Sequence, residues 1–85
     1  MGLLDTKDTL TGAMIQAIME ALPGAEVEVR QASGGHFTVR VVSALFEGKS
    51  MLQKQRVVYR AIAPFMAGDN APVHAIDHME TLLPE

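Results

Sequence analysis

Apolar residues recur with helical spacing near the start of the chain. In residues 5–22 they fall at intervals of three and four, which predicts a helix with one buried face. The positions are Leu10, Ala13, Met14, Ala17, Ile18, Ala21 and Leu22. Asp5, Thr6 or Asp8 can cap its start, and Pro23-Gly24 ends it.

A longer helix is predicted over residues 51–67, with Ser50 as its N-cap. Its apolar stripe comprises Met51, Leu52, Val58, Tyr59, Ile62, Phe65 and Met66. Pro64 falls inside this pattern and is expected to kink or shorten the last turn, because proline has no N–H to donate.

Polar and apolar residues alternate in three other segments, which predicts strands. Residues 25–31 and 36–43 flank the glycine-containing turn 32–35 and form a hairpin, and residues 73–78 give the third strand. In the second strand, the residues expected to face the core are Phe37, Val39 and Val41, and those expected to face outward are Thr38 and Arg40.

The segment between the hairpin and the long helix is short and apolar. Ala44-Leu45-Phe46 is predicted to be a single helical turn that plugs the core and ends at Gly48. The element order is then α-β-β-α-α-β, an α/β (α+β) fold with helices on one face of a three-stranded sheet. We expect one domain over residues 1–85, with residues 1–7 as a flexible start.

Composition narrows the class of protein. The chain is 48% hydrophobic and 20% charged, which is typical of a folded domain. A net charge of −3 gives no general attraction to nucleic acid, and the absence of cysteine excludes disulfides and thiolate ligands from the chain itself. No apolar run is long enough to span a membrane. We expect a cytoplasmic protein, or one of an organelle matrix or stroma.

The stretch "SALFEGKS", residues 43–50, ends like a phosphate-binding loop. A P-loop needs a glycine five residues before Gly48, where this chain has Ser43, and Leu45 and Phe46 would fill the loop interior. A nucleotide site is therefore not predicted here. No nucleophile, base and acid form a recognisable set elsewhere, so the sequence does not indicate an enzyme.

The chain has three histidines: His36, His74 and His78. In a strand, His74 and His78 would lie roughly 13 Å apart, too far to share one ion. Two imidazoles without cysteine do not complete a tetrahedral site, so any further ligands must come from a partner or cofactor. The alternative is that each histidine is a surface or packed side chain. His36, at the end of a glycine-rich turn, is expected to be exposed and mobile.

Four basic residues cluster around the start of the long helix: Lys49, Lys54, Arg56 and Arg60. Residues 56 and 60 are neighbours on one helix face, and Lys49 lies at its approach. This surface is a candidate contact for phosphate or an acidic partner. The alternative is an ordinary solvated helix face.

Two stretches resemble the BolA-like family, "HFTVRVVSALFEGKSMLQKQRVVYRAI" and "VHAIDHMETLLPE". The features that carry the resemblance are the hairpin before Phe37, the run "VVS..F.GKS..Q..R.VY" from Val41 to Tyr59, and His74-Ala75 followed by Thr81 and Pro84. The resemblance covers residues 8–85 and implies a class II KH-like fold.

The resemblance also implies a partner and a cofactor. Proteins of this family pair with a monothiol (CGFS) glutaredoxin, as a heterodimer that shares a [2Fe–2S] cluster. Glutaredoxin and glutathione supply thiolates, and the BolA-like chain supplies histidine. The family's C-terminal histidine ligand falls on His74, and His36 is the candidate for the second ligand in the hairpin loop. His78 matches no family ligand. The isolated chain is expected to bind no cluster and to be a monomer or weak dimer.

The resemblance leaves a second function open, that of a KH-like transcriptional regulator that binds DNA. KH domains clamp backbone phosphates with a GxxG loop. Here the helix–helix connection reads Glu47-Gly48-Lys49-Ser50, with one glycine. Gln55-Arg56 also departs from the Arg-His or His-Arg pair of many relatives, so a partner contact made by that histidine would differ here. The single glycine, the acidic Glu47 beside it and the net charge of −3 favour iron–sulfur cluster assembly, trafficking or iron regulation as the expected role.

Overall fold

The computed structural model describes residues 9–85. Two helices, α1 (Leu10–Ala21) and α2 (Met51–Met66), accompany three strands, β1 (Glu26–Gln31), β2 (His36–Val42) and β3 (Ala75–Leu82). Short 3₁₀ turns lie at Ser33–Gly35 and Ala44–Phe46. The α+β class, the three-stranded sheet and the predicted order are confirmed, with the short central helix formed as the second 3₁₀ turn.

The sheet has the order β1-β2-β3 and is mixed. β1 and β2 pair antiparallel as the predicted hairpin, whereas β2 and β3 pair in parallel because α2 carries the chain back across the sheet. Consequently the starts of β2 and β3 lie at the same edge, with His36 opposite Ala75. This edge holds the candidate site.

One face of the sheet packs against both helices and forms the core. The inward residues of β2 are those predicted, and Met14, Ile18, Val58 and Ile62 cover them from the helices. The fully buried large side chains are Phe37, Phe46, Met14, Ile18, Ile62, Val39, Val41, Val58 and Val73. The other face of the sheet carries exposed charges, as the alternation in β1 and β2 predicted.

Two helix starts are fixed by side-chain caps. Thr9 accepts a hydrogen bond from the Gly12 N–H at the start of α1. The predicted start at residue 5 and its candidate caps lie outside the described residues, as does the predicted flexible start at residues 1–7. At α2, the Ser50 hydroxyl accepts from the Gln53 N–H and the Gln53 side chain accepts from the Ser50 N–H, which is a capping box.

Two predictions about buried side chains were wrong. Met51, Leu52 and Tyr59, placed on the inward stripe of α2, are 59%, 56% and 41% exposed. Helical spacing alone does not distinguish core from surface, and Met51, at the start of α2, reaches the sheet with its sulfur, which accepts a hydrogen bond from Thr81 of β3. Leu45 is also exposed, at 51%, and only Phe46 of the short turn enters the core.

The third strand was predicted too early. β3 begins at Ala75 rather than residue 73 and continues to Leu82. A register shift lies between Phe37–Ile76 and Thr38–His78, which leaves Asp77 as an extra residue, a β-bulge. The bulge breaks the period of two, so that Ile76, Met79 and Thr81 all turn toward the core side.

The long helix ends close to its predicted end at residue 67. α2 continues through Pro64 and ends at Met66.

Candidate functional site

His74 is held against the glycine turn of the hairpin. Its backbone N–H donates to the Gly35 carbonyl over 2.8 Å, which ties the approach to β3 to the end of the turn. The Gly35 φ is +78°, and a Cβ there would collide with the His74 ring and lie 3.2 Å from the Pro72 carbonyl. Only glycine provides both this backbone conformation and this space. His74 thus precedes the strand in which it was predicted to lie.

His36, the first residue of β2, projects from the same edge. Its Nδ1 is 2.8 Å from Oδ1 of Asp77, the bulged residue of β3, and a hydrogen bond joins them. Both side chains are about half exposed, at 46% and 54%. The predicted exposure of His36 is confirmed. The prediction that His36 is mobile did not take its hydrogen bond to Asp77 into account.

The two candidate ligands are therefore neighbours. His36 directly follows Gly35, and His74 is bonded to Gly35 and precedes Ala75, the register partner of His36. Both histidines are exposed. Within residues 9–85 no group of three or more histidine, cysteine, aspartate or glutamate side chains is arranged to hold a metal ion. The two imidazoles therefore lie at one exposed edge without a complete set of metal ligands among residues 9–85.

His78 lies apart from this pair. It is the register partner of Thr38 on the outer face of the sheet, where its Nε2 is 3.9 Å from Glu80. Arg40 also approaches Glu80, at 3.4 Å. This is a surface charge cluster, and the absence of a ligand role for His78 stays a prediction.

Three of the four predicted basic residues share a groove. Lys49, Arg56 and Arg60 line a shallow depression together with Gln53 and Val57. Lys54 does not line it and is half-buried. None of the ion pairs found within residues 9–85 involves the three groove cations. The groove can contact an anion, but it has no enclosing loop.

The Gly-Lys-Ser segment has a structural role. The Ser43 hydroxyl accepts a hydrogen bond from the Leu45 N–H, Gly48 has a φ of +81°, and Ser50 caps α2. The segment is a strand-to-helix junction, as the missing first glycine of a P-loop indicated.

The family model for BolA-like protein matches residues 13–85. The chain belongs to the BolA-like family. BolA-like protein 1 of Mus musculus is 43% identical over 75% of this chain. That match spans 52% of the mouse protein, so the chain covers about half the length of this curated relative.

Solved structures of the family share the fold. The mouse BolA1 solution structure has a TM-score of 0.68 at 34% identity, covering 87% of this chain and 64% of that one. The BolA domain of SufE1 from Arabidopsis thaliana has a TM-score of 0.73 at 24% identity and covers 96% of each chain. The second likeness bears on the fold alone.

Asp77 is the site residue that sequence reasoning missed in this BolA-like chain. Its distance from His36 along the sequence is 41 residues, and only the parallel pairing of β2 with β3 brings them together. The available signal was the broken alternation at Ile76-Asp77-His78, since the extra residue of a bulge interrupts the period of two.

Proposed function

We propose that this BolA-like chain is a non-enzymatic adaptor that binds a monothiol glutaredoxin and shares a [2Fe–2S] cluster with it. The role is in iron–sulfur cluster assembly, trafficking or iron regulation. The observation that carries the proposal is the pair His36 and His74, which flank Gly35 at one exposed edge.

The donor set supports a shared group over a resident one. Imidazole nitrogen replaces thiolate in some [2Fe–2S] centres and raises their reduction potential. This chain has no cysteine, so the thiolates of such a centre would come from glutaredoxin and glutathione. The chain's own contribution is to present His74 through the rigid Gly35 contact and His36 through the start of β2. In this proposal His74 is the principal ligand and His36 the second.

The position of the pair also suits a partner interface. Both histidines are exposed, and they lie at the start of β2 and just before β3, strands that the packed sheet keeps in place. The helices of residues 9–85 include none long and apolar enough to cross a membrane. A partner can therefore approach this edge without displacing any element of the fold described here.

The proposal is tested by mixing the chain with cluster-loaded monothiol glutaredoxin. We expect the visible absorption and circular dichroism of the cluster to change, and His74→Ala to diminish that change. His78→Ala is the matched control, because His78 is an exposed histidine outside the pair, and it should behave as wild type. An unchanged spectrum in a mixture shown to contain the heterodimer contradicts cluster sharing.

The basic groove supports a second candidate, a nucleic-acid-binding regulator. Lys49, Arg56 and Arg60 have no acidic partner within residues 9–85 and could contact phosphates. This function requires DNA binding that weakens steeply with salt and is reduced by Arg56→Ala. If the chain does not bind DNA at low salt, this second function is excluded. The net charge of −3 makes it the weaker candidate.

A further inference from the structure

The contact between His36 and Asp77 limits what the imidazole can do. An ionised carboxylate only accepts hydrogen bonds, so at 2.8 Å from Oδ1 the Nδ1 atom must carry the proton. In the neutral ring the lone pair then resides on Nε2, the other nitrogen. A histidine without such a partner exchanges between both tautomers and rotates more freely.

We infer that Asp77 is a positioning residue that fixes the tautomer and ring orientation of His36, so that Nε2 would be the nitrogen available to a shared metal group. The inference rests on the proposed function, since it assigns how the second ligand of that site is prepared. Carboxylates that hold the distal N–H of a metal-binding histidine orient the ring and raise its basicity. Asp77 occupies the corresponding place here.

The β-bulge is what makes Asp77 available for this contact. Asp77 has no register partner on β2, because Ile76 pairs with Phe37 and His78 with Thr38. A bulged residue is freed from the regular alternation and re-aims its side chain, which is how bulges are used beside functional sites. The next histidine along β3 lacks an equivalent contact, since His78 is 3.9 Å from a carboxylate that also approaches Arg40. Of the histidines in β2 and β3, His36 is the one held close to a carboxylate.

The first test is made on the isolated chain and needs no cluster. Long-range ¹⁵N–¹H correlation spectra at about pH 8.5, where an ordinary imidazole is neutral, report which ring nitrogen carries the proton. We expect His36 to be protonated on Nδ1, and Asp77→Ala to average the two nitrogens. Glu80→Ala is the control, because it removes an exposed carboxylate of the same strand that has no contact with His36. The inference is overturned if the two ring nitrogens of His36 already share the proton in the wild type. It is also overturned if Asp77→Ala leaves the protonation of the ring unchanged.

The second test asks whether this positioning serves the metal group. In the cluster titration with glutaredoxin, Asp77→Ala should weaken the complex about tenfold, the lower end of the effect of losing such a carboxylate. Asp77→Asn, which keeps the shape and loses the charge, should give an intermediate loss, and Glu80→Ala should titrate as wild type. If His36→Ala weakens the complex and both Asp77 variants leave it unchanged, the inference is wrong.

The failure of the proposed function would look different. If wild type forms the heterodimer and leaves the cluster spectrum unchanged, cluster sharing fails, and the metal-facing role of His36 fails with it. If wild type shares the cluster and only the tautomer result is negative, the proposed function stands and Asp77 has no positioning role. Amide spectra of each variant show whether it is folded. If Asp77→Ala does not fold, Asp77→Asn is the variant on which both tests are made.

Discussion

Two glycine-containing junctions of this chain differ in what their glycines do. At the hairpin turn, a Cβ on Gly35 would collide with the His74 ring, whereas at the junction before α2 a Cβ on Gly48 would meet nothing within 4 Å. Both glycines have φ near +80°, at +78° and +81°. The backbone requirement is therefore the same, and only the first junction adds a close contact with a chemically active side chain.

This difference shows why the more conspicuous motif has the plainer role. Gly48-Lys49-Ser50 matches part of a nucleotide-binding signature. However, its serine forms the capping box of α2, and its glycine provides the positive φ of the connection. Gly34-Gly35-His36 matches no such signature. Even so, it brings two imidazoles and a carboxylate to one edge of the sheet.

The largest effect is expected at the junction before α2. Phe46→Ala should lower the free energy of unfolding by about 3–5 kcal/mol, because Phe46 is fully buried and its removal leaves a cavity. Leu45→Ala, one residue earlier and 51% exposed, should cost about 0.5 kcal/mol or less. Urea unfolding monitored by circular dichroism measures both. Equal losses would mean that the short turn packs differently from the structure.

The glycine comparison gives the second effect. Gly35→Ala and Gly48→Ala should each lower the free energy of unfolding by roughly 1–2 kcal/mol or more, because a residue with a Cβ is strained in the left-handed conformation. Gly35→Ala should lose more and also displace His74, which shifts the ring resonances of that histidine and diminishes the change in the glutaredoxin cluster spectrum. Gly48→Ala should leave both signals at their wild-type values. A variant at Gly35 with an undisturbed His74 ring would break the contrast between the junctions.

Local signals predicted most of the fold, and pairing between distant strands determined the rest. The alternation in β2 and the capping serine of α2 depend on near neighbours, so Phe37, Val39, Val41 and Ser50 were placed correctly. The broken alternation in β3 indicates a bulge at Asp77, but which residue of β2 lies beside it depends on how the two strands align. For the same reason the sequence indicated His36 and His74 individually, but not the carboxylate that binds His36.

A smaller effect separates the serines of the two junctions. Ser50→Ala removes half of the capping box of α2 and should cost about 1 kcal/mol. Ser33→Ala, in the hairpin turn, should cost about 0.5 kcal/mol or less, since its 3₁₀ turn has no side-chain cap. Thermal unfolding of the two variants in parallel checks this order. A larger loss at Ser33 would indicate a contact in the turn that the cap geometry does not explain.

The smallest effect is expected for the lysine of the nucleotide-like motif. Lys49 forms no ion pair within residues 9–85, so Lys49→Ala should change the free energy of unfolding by less than about 0.5 kcal/mol. Magnesium-ATP should leave the amide spectra of wild type and variant unshifted, because no loop of inward N–H groups surrounds a phosphate in this segment. If the groove binds nucleic acid instead, Lys49→Ala should reduce the salt slope of binding by about 1, whereas Lys54→Ala, outside the groove, should not. An ATP-dependent shift lost with Lys49 would restore the phosphate-binding role to this junction and end the contrast with the hairpin turn.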